Sequence, residues 1–515
     1  MATPNEKLAE SLTVFKKLQD QGIIAVKTSE LGRVHRERLI EAGYLQEVLK
    51  GWFILTPNQE RKGDSTTWFT SYWNFCARYL SERFGNEYWI SPDQSLKIYA
   101  GSWAIPTQLI IRAPKGTNSA TPLPFGISLF SIETQIPLTA EFVEMESVRM
   151  LSLPSSLIHC SPAIYTSDAT TMKVALSLIS DSSQILSLLL EGGHSTIAGR
   201  LAGAFRNIGR EKIADDIVKT MQTAGYDIRE SDPFEHPNQV SLSLREKSPY
   251  VNRIKLMWQS MREDVLKIFP PTIGIEIDIE KYLKSVDSIY LTDAYHSLSI
   301  ERYRVTPELI ERVRSSEWDL EKNEADKRQR DAMAARGYWQ SVQRVRISIQ
   351  QILEGSNPGD VTNADHGDWY RELFAPSVNV GLLRPSDLAG YRNNNVYIGQ
   401  SKHVPMNPDA LRDAMPTFFE LLRSEPEASV RAVLGHFIFV YIHPYSDGNG
   451  RIGRFLMNAM LASGGYPWTV IPVEERETYM NALESASVEQ NIKPFSEFIA
   501  YLVNEGMKGT PIANI

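Results

Sequence analysis

Cysteine is almost absent from this 515-residue chain, which holds only Cys76 and Cys160. Two such thiols exclude a disulfide framework or a zinc-ligand cluster and suit a reducing compartment. No apolar stretch is long and clean enough to cross a bilayer, and the N-terminal MATPNEKLAE has no signal-type apolar core. A cytoplasmic chain without a membrane partner is the expectation. Positive charge is not in excess either. The 54 Lys and Arg stand against 62 Asp and Glu, a net charge of −8 that argues against wholesale coating of nucleic acid but allows one basic patch. No internal repeat is visible. What remains is an ordinary globular composition, 42% hydrophobic and 23% charged, in a chain too long for one core, so two to four domains are expected.

The stretch Val430–Met457, VRAVLGHFIFVYIHPYSDGNGRIGRFLM, carries the most chemistry. Its apolar run reaches back through Ala432, Val433 and Leu434, too long for a common strand, and predicts a buried helix. Pro444 ends that helix and should hold His443 extended at the rim of the core, with its neutral form favoured by partial burial. Gly448 and Gly450 permit a tight turn into a second helix, whose first amides make a nest for an anion. Arg451 and Arg454, one turn apart, can clamp a polyphosphate, and Asp447 is an oxygen ligand suited to Mg2+. His436, seven residues before His443, is expected to be a core histidine. The plain alternative is a helical corner with a capping aspartate and solvated arginines, which leaves the histidine and both arginines unexplained.

His443-Pro444-Tyr445-Ser446-Asp447-Gly448-Asn449-Gly450-Arg451-Ile452-Gly453-Arg454 resembles the HPFxxGNGRxxR signature of the Fic (filamentation induced by cyclic AMP) domain family, with Tyr in place of Phe. The resemblance implies a mainly helical fold with a short flap hairpin. It also implies transfer of AMP from ATP to a Tyr, Thr or Ser hydroxyl of a protein target, itself included. On that footing His443, Asn449 and Arg454 are the catalytic set. Gly448, Asn449, Gly450, Arg451, Gly453 and Arg454 hold the nucleotide, Asp447 the metal, and ATP and Mg2+ are the cofactors. Gly450 points to AMP transfer, because relatives with Lys there phosphorylate. Tyr479 borders the adenine by resemblance, or simply packs.

Further likenesses extend the assignment. Ser297-Leu298-Ser299-Ile300-Glu301 resembles the family's inhibitory motif [S/T]xxxE[G/N], with Arg302 in the place of Gly or Asn. Ser297 and Glu301 would then occupy Arg454 and exclude the γ-phosphate, and Glu301 could instead help water remove AMP from a modified protein. Alternating residues after Gly381 read as β, and Tyr391, Arg392, Val396, Tyr397 and Ile398 look like the flap that binds a target backbone as an added strand.

Residues 1–60 read as helices followed by a small hairpin, the pattern of a winged helix-turn-helix. The expected pieces are helices over Leu8–Gln19 and Val34–Ala42, a turn into a short helix at Val26–Leu31, and two strands within Tyr44–Leu55. Bulk charge gives DNA no support, at eight basic against eight acidic residues, so only Arg33, Arg36 and Arg38 speak for it. RVHRERLIEAGYLQEVLKGWFILT resembles the N-terminal winged helix of the AbiEi antitoxin family, a diffuse likeness that extends to about residue 230. Two helices around an extended piece are expected over Thr66–Tyr99, strands at Ser95–Ile98, Gln108–Ile111 and Gly126–Phe130, and one long helix over Thr171–Leu190. Glu230–Asn238 is the candidate linker, and further helices are expected over Pro249–Phe269 and Ile273–Val286.

The expected architecture is thus multidomain. It comprises a winged helix-turn-helix (1–60), a mixed α/β domain (61–235), and a mainly α-helical Fic fold (236–515) with its inhibitory helix near 290–302. Two functions compete: an autoinhibited protein adenylyltransferase fused to a DNA-binding half, or a transcriptional regulator of toxin-antitoxin or phage-defence type whose Fic domain senses nucleotide or removes AMP. Protein is the expected substrate, DNA a second partner through the N-terminal domain, and homodimer formation stays open.

Overall fold

The structure, a computed structural model, describes residues 3–56, 64–137, 140–236, 248–272, 278–314 and 330–515. The chain divides into two units. One comprises Met1–Pro249 with Tyr397–Val404, the other Tyr250–Val396 with Pro405–Ile515.

The first unit opens with α1 (Pro4–Asp20), where Thr3 and Glu6 cap each other's backbone amides. β1 (Ala25–Lys27), a 3-10 turn at Thr28–Glu30, α2 (Arg33–Glu41), β2 (Leu45–Leu49) and β3 (Trp52–Leu55) come next, and the strands form an antiparallel sheet in the order β1-β3-β2. Phe15, Val26, Leu31, Leu39, Leu45 and Phe53 make the core these elements share. One detail differs from expectation: Ala25–Lys27 pairs with β3 as a strand rather than turning. On α2, Leu39 is buried and Ile40 points outward, 42% exposed.

Beyond it come α3 (Thr66–Phe84), β4 (Trp89–Ile90), α4 (Pro92–Tyr99), β5 (Gln108–Ala113), β6 (Ser119–Pro122) and β7 (Ser128–Glu133). These strands form a mixed sheet, β4-β5-β7-β6, with β5 and β7 parallel. β8 (Phe142–Met145) and β9 (Val148–Leu151) make a separate hairpin. Ser95–Ile98 is helical, not a strand, because the Ser91 hydroxyl caps the Gln94 amide and Pro92 stands at the first helical position. Six helices complete the sequence: α5 (Leu153–His159), α6 (Ile164–Ser167), α7 (Ala169–Ser177), α8 (Ser183–Gly192), α9 (Ser195–Asn207) and α10 (Glu211–Thr223). The long helix expected over Thr171–Leu190 is broken between α7 and α8, where Gln184 Oε1 accepts the amides of Ser180 and Asp181.

The stretch read as a linker is fastened instead of free. Arg206 Nε bonds Glu230 at 2.6 Å, Asn207 bonds Asp232 at 2.8 Å, and Phe234 packs against Tyr165. Its remaining residues, Pro237 and Asn238, lie outside the described residues. Tyr397–Val404 folds with this unit, the Ile105 amide donating to the Lys402 carbonyl at 2.9 Å.

The second unit is helical. Its elements are α11 (Pro249–Ile268), α12 (Ile279–Ile300), α13 (Pro307–Arg314), α14 (Arg330–Leu353), α15 (Pro358–Asn379), α16 (Leu411–Ser424), α17 (Ala428–Ile442), α18 (Asn449–Ala462), α19 (Arg476–Val488) and α20 (Lys493–Met507). Of the helix expected from Ile273, residues 273–277 lie outside the described residues; α12 starts behind the cap Asp278 and runs on to Ile300. α14 with α15, and α17 with α18, form two tightly packed hairpins. α17 is apolar around almost its whole circumference, so it is a core helix and anchors the turn at its C-terminal end. The buried Glu425 takes both Arg262 Nε (2.8 Å) and Nη2 (3.0 Å), tying α11 to the segment between α16 and α17.

The expected flap hairpin does not form. Among the described residues no strand lies between 381 and 404, and a 3-10 turn at Pro385–Leu388 takes its place. Tyr391 and Arg392 turn inward, Tyr391 Oη meeting His366 Nε2 at 2.8 Å, and Asn395–Ile398 belongs to no helix or strand.

Candidate active site

α17 delivers His443 as its C-cap residue, and the backbone there is left-handed, φ 56° and ψ 60°. The extended geometry expected from Pro444 is therefore not adopted; the peptide carbonyls around it are held from outside, by Arg392. The left-handed region costs a non-glycine residue about 1–2 kcal/mol. His443 Nδ1 lies 3.1 Å from the Val440 carbonyl, so Nδ1 carries the proton and Nε2 is the basic nitrogen. Burial pushes the imidazole pKa down to about 4, assisted by the Arg392 cation and opposed by the Val440 bond. At neutral pH the ring is an unprotonated base.

The turn after it is closed by Asn449. Its Oδ1 accepts the Tyr445 amide at 2.9 Å and its Nδ2 donates to the Tyr445 carbonyl at 2.8 Å. The Asn449 side chain is thus engaged in shaping the loop. Gly448 is left-handed at φ 82°, as its place before the helix requires. α18 begins behind it, and since the Ile452 amide is the first to bond back, to Gly448, the amides of Asn449, Gly450 and Arg451 have no intrahelical acceptor. They make the expected anion nest.

Arg454 is buried. Its Nε donates to Ser297 Oγ at 2.9 Å, and its Nη2 donates to the Ser297 carbonyl at 3.0 Å and to Glu301 Oε1 at 2.8 Å. Burial opposes its charge, but Glu301 together with Tyr479 and Tyr338 outweighs it and the pKa stays raised. The Glu301 carboxylate also lies over the first turn of α18, so close that a Cβ at Gly450 would overlap Oε1. Arg454 Nη1 has no hydrogen-bond partner among the described residues. α12 itself ends in a Schellman-type cap: Tyr303 N donates to Leu298 O at 3.0 Å and Arg302 N to Ser299 O at 2.9 Å. Arg302 thereby occupies the left-handed position, φ 66°, that glycine or asparagine favours.

Arg451 is also buried, its guanidinium between the rings of Tyr303 (5.1 Å) and Phe374 (5.0 Å), with Nη2 3.3 Å from Asp447 Oδ1. A cavity of about 260 Å3 adjoins it, walled by Tyr303, Phe374, Leu383 and Arg330 as well as Asp447. Asp447 also accepts the Gly448 amide at 2.6 Å while its side chain stays 60% exposed. No cluster of three or more His, Cys, Asp or Glu residues able to hold a metal occurs among the described residues, so a hard cation here needs oxygens from phosphate and water besides Asp447.

The remaining expected residues fall elsewhere. Gly453 faces α17, where a Cβ would press on Val440 and His436, so it serves helix packing. Tyr479 is fully buried, its hydroxyl meeting His436 Nε2 at 2.7 Å and lying within the electrostatic reach of Arg454, and His436 is buried in the core. Tyr397 is exposed, Val396 and Ile398 partly so. On α2, Arg33 pairs with Glu37, Arg36 donates to the carbonyls of Thr28 and Leu31, and Arg38 donates to Lys7 O. Two residues carry roles the sequence reading did not give them. Arg392, expected as part of the flap, instead donates to the His443 carbonyl, and Asp293, buried and bonded by Tyr338 Oη at 2.6 Å, was visible only as a carboxylate one turn before Ser297. Burial raises the Asp293 pKa to about 6.

Residues 361–461 match the Fic/DOC family model. Two similar relatives are the protein adenylyltransferase Fic of Drosophila willistoni, 36% identical over 163 residues, and that of Drosophila virilis, 32% identical over 215 residues. The matches cover 31% and 41% of this chain and only 28% and 40% of those relatives. Among solved structures, Fic-1 (aa134 - 508) from C. elegans is 18% identical with a TM-score of 0.36, covering 66% of this chain and 91% of that one. None of these matches supports the AbiEi likeness of the N-terminal half. The site described above, from His443 to Arg454, lies within a Fic/DOC domain carried by residues 361–461 of this chain.

Proposed function

We propose that this chain is a protein adenylyltransferase held inactive by Glu301. The observation that carries the reading is the Glu301–Arg454 pair, seated against the first turn of α18 where a nucleotide phosphate would otherwise lie. The nearness of named protein adenylyltransferases over the same region supports it.

With Glu301 withdrawn, the amides of Asn449, Gly450 and Arg451 take the α-phosphate oxygens, and Arg451 and Arg454 take the β- and γ-phosphates of ATP. Asp447 would hold Mg2+, which neutralises phosphate charge when bound. His443 Nε2 removes the proton from a Tyr, Thr or Ser hydroxyl of a protein target. The hydroxyl oxygen bonds to the α-phosphorus, the bond to the bridging oxygen breaks, and pyrophosphate departs with the electron pair.

The deciding experiment compares labelled AMP incorporation by wild type, Glu301→Gly and Glu301→Gly/His443→Ala in a cell lysate. Transfer should rise in the first variant and vanish in the second, and equal incorporation in all three would dismiss the reading. A regulatory reading keeps one support. The order β1-β3-β2 with α2 beside it is an arrangement that a winged helix would need, and Arg33 is exposed. A salt-dependent gel shift on DNA tests that reading separately.

A further inference from the structure

Arg392 is 3% exposed, and every hydrogen bond its side chain makes goes to a backbone carbonyl. Nε donates to His443 O at 2.7 Å, Nη2 to Met406 O at 2.6 Å and to Ile442 O at 3.4 Å, and Nη1 to Asn394 O at 3.1 Å. Its own amide donates to Pro444 O at 2.9 Å. One residue therefore holds the carbonyls of 442 and 443, the two peptide units that set the backbone angles of His443, and that of Pro444 just beyond them.

These contacts have a physical purpose. α17 ends at His443, and the last carbonyls of a helix need donors from outside it. A cation there also meets the negative end of the helix dipole. The guanidinium is the side chain that can serve several carbonyl directions at once, because its five N–H groups lie in a fixed plane, whereas a lysine ammonium is a compact point donor. The His443 backbone sits in a conformation that L-residues avoid, and Pro444 after it disfavours helical angles as well. Among the described residues the imidazole has a single hydrogen bond, from Nδ1 to Val440. Its direction therefore depends on the backbone that carries it.

We propose that Arg392 is a positioning residue for group transfer: by clamping the carbonyls on either side of His443 it keeps the left-handed backbone that aims Nε2 at the acceptor hydroxyl. The proposal rests on the reading of His443 as the base. A displacement of the order of 1 Å in such a group lowers the rate about 100-fold. The Arg392 guanidinium is committed to backbone carbonyls, so nucleotide binding should survive its loss.

The test uses the full chain in the Glu301→Gly background, with Arg392→Lys, Arg392→Gln and Arg392→Ala. Labelled AMP transfer gives kcat and the KM for ATP, and thermal melting reports the fold. The expected result is a kcat about 100-fold lower in Arg392→Gln with KM within twofold, and partial rescue in Arg392→Lys. The acid limb of the pH profile should move upward in Arg392→Gln, where a nearby cation is lost, and stay in place in Arg392→Lys. If Arg392→Ala fails to fold, Arg392→Lys against Arg392→Gln decides. Undiminished kcat in Arg392→Gln overturns the proposal, and so does a parallel fall of kcat, nucleotide binding and melting temperature, which would make Arg392 a plain packing residue. If Glu301→Gly with Arg392 intact transfers no AMP, the reading of His443 fails first and this proposal falls with it.

Discussion

Replacing Glu301 by glutamine tests the inhibitory contact with almost no change of shape. The bond to be weakened is Arg454 Nη2 to Glu301 Oε1, 2.8 Å, between a guanidinium 4% exposed and a carboxylate 28% exposed. A hydrogen bond to a charged group contributes about 1.5–3 kcal/mol, and the partly wet carboxylate puts this one near the lower end. ATP must displace that bond to reach Arg454. Losing about 1.5–2 kcal/mol of competition strengthens ATP binding by roughly 10- to 30-fold, since 1.4 kcal/mol is a factor of ten. Arg454 would not be orphaned, because Ser297 keeps accepting from Nε and Nη2. The fold should therefore survive. Calorimetric titration of ATP is cleanest in a His443→Ala background, where no turnover consumes the nucleotide. Glu301→Gln should lower the Kd by about tenfold or more, and Glu301→Gly by at least as much. A Kd within twofold of the parent for both would refute the argument, because the carboxylate would then not compete for the phosphate position.

Two further predictions use other parts of the structure. Arg302→Gly relieves a left-handed backbone at the end of α12, so it should stabilise the chain by about 0.5–1 kcal/mol in chemical denaturation, and a loss of stability would show that the Arg302 side chain matters more than its backbone. Acid should destabilise the fold well before carboxylates in general titrate: burial holds His366 near 4 and His436 near 3, below the ordinary value of about 6.5, so the unfolded chain binds protons that the folded one refuses. That stability is fully present above about pH 6.5 and declines as pH falls toward 4, whereas Asp293, raised to about 6, gives an opposing contribution that is present at low pH and lost as pH rises through 6. With His366, His436 and also His443 held down against one aspartate, unfolding free energy should fall between pH 7 and pH 5, and a flat profile would mean that these histidines are accessible.

How much of this was legible in the chain depends on whether the information is local. The signature from His443 to Arg454 fixes its own geometry through Gly448, the helix start and the spacing of two arginines, so the nest and the Arg451 and Arg454 positions follow from sequence. Ser297 and Glu301 lie one helical turn apart, and the left-handed cap at Arg302 sets where Glu301 points, so that contact was legible too once a partner for Arg454 was sought. The misread parts depend on partners distant in the chain. Alternating residues around Tyr391 and Arg392 look the same whether they pair as a hairpin or turn inward; the deciding groups are His366, Met406 and the carbonyls at 442–444, and carbonyls carry no side-chain signature. Asn449 is a local case instead, its side-chain amide bonded to Tyr445 of its own loop. The basic residues of α2 show the converse. Arg36 and Arg38 read as a surface offered to phosphate, yet each already donates to carbonyls within its own unit, and a donor engaged in that way gains less from a phosphate than a free one. Charge in a sequence is therefore weak evidence for a polyanion partner until its hydrogen bonds are assigned, whereas a guanidinium such as Arg454 that keeps Nη1 unpaired in a buried site still has a bond to give.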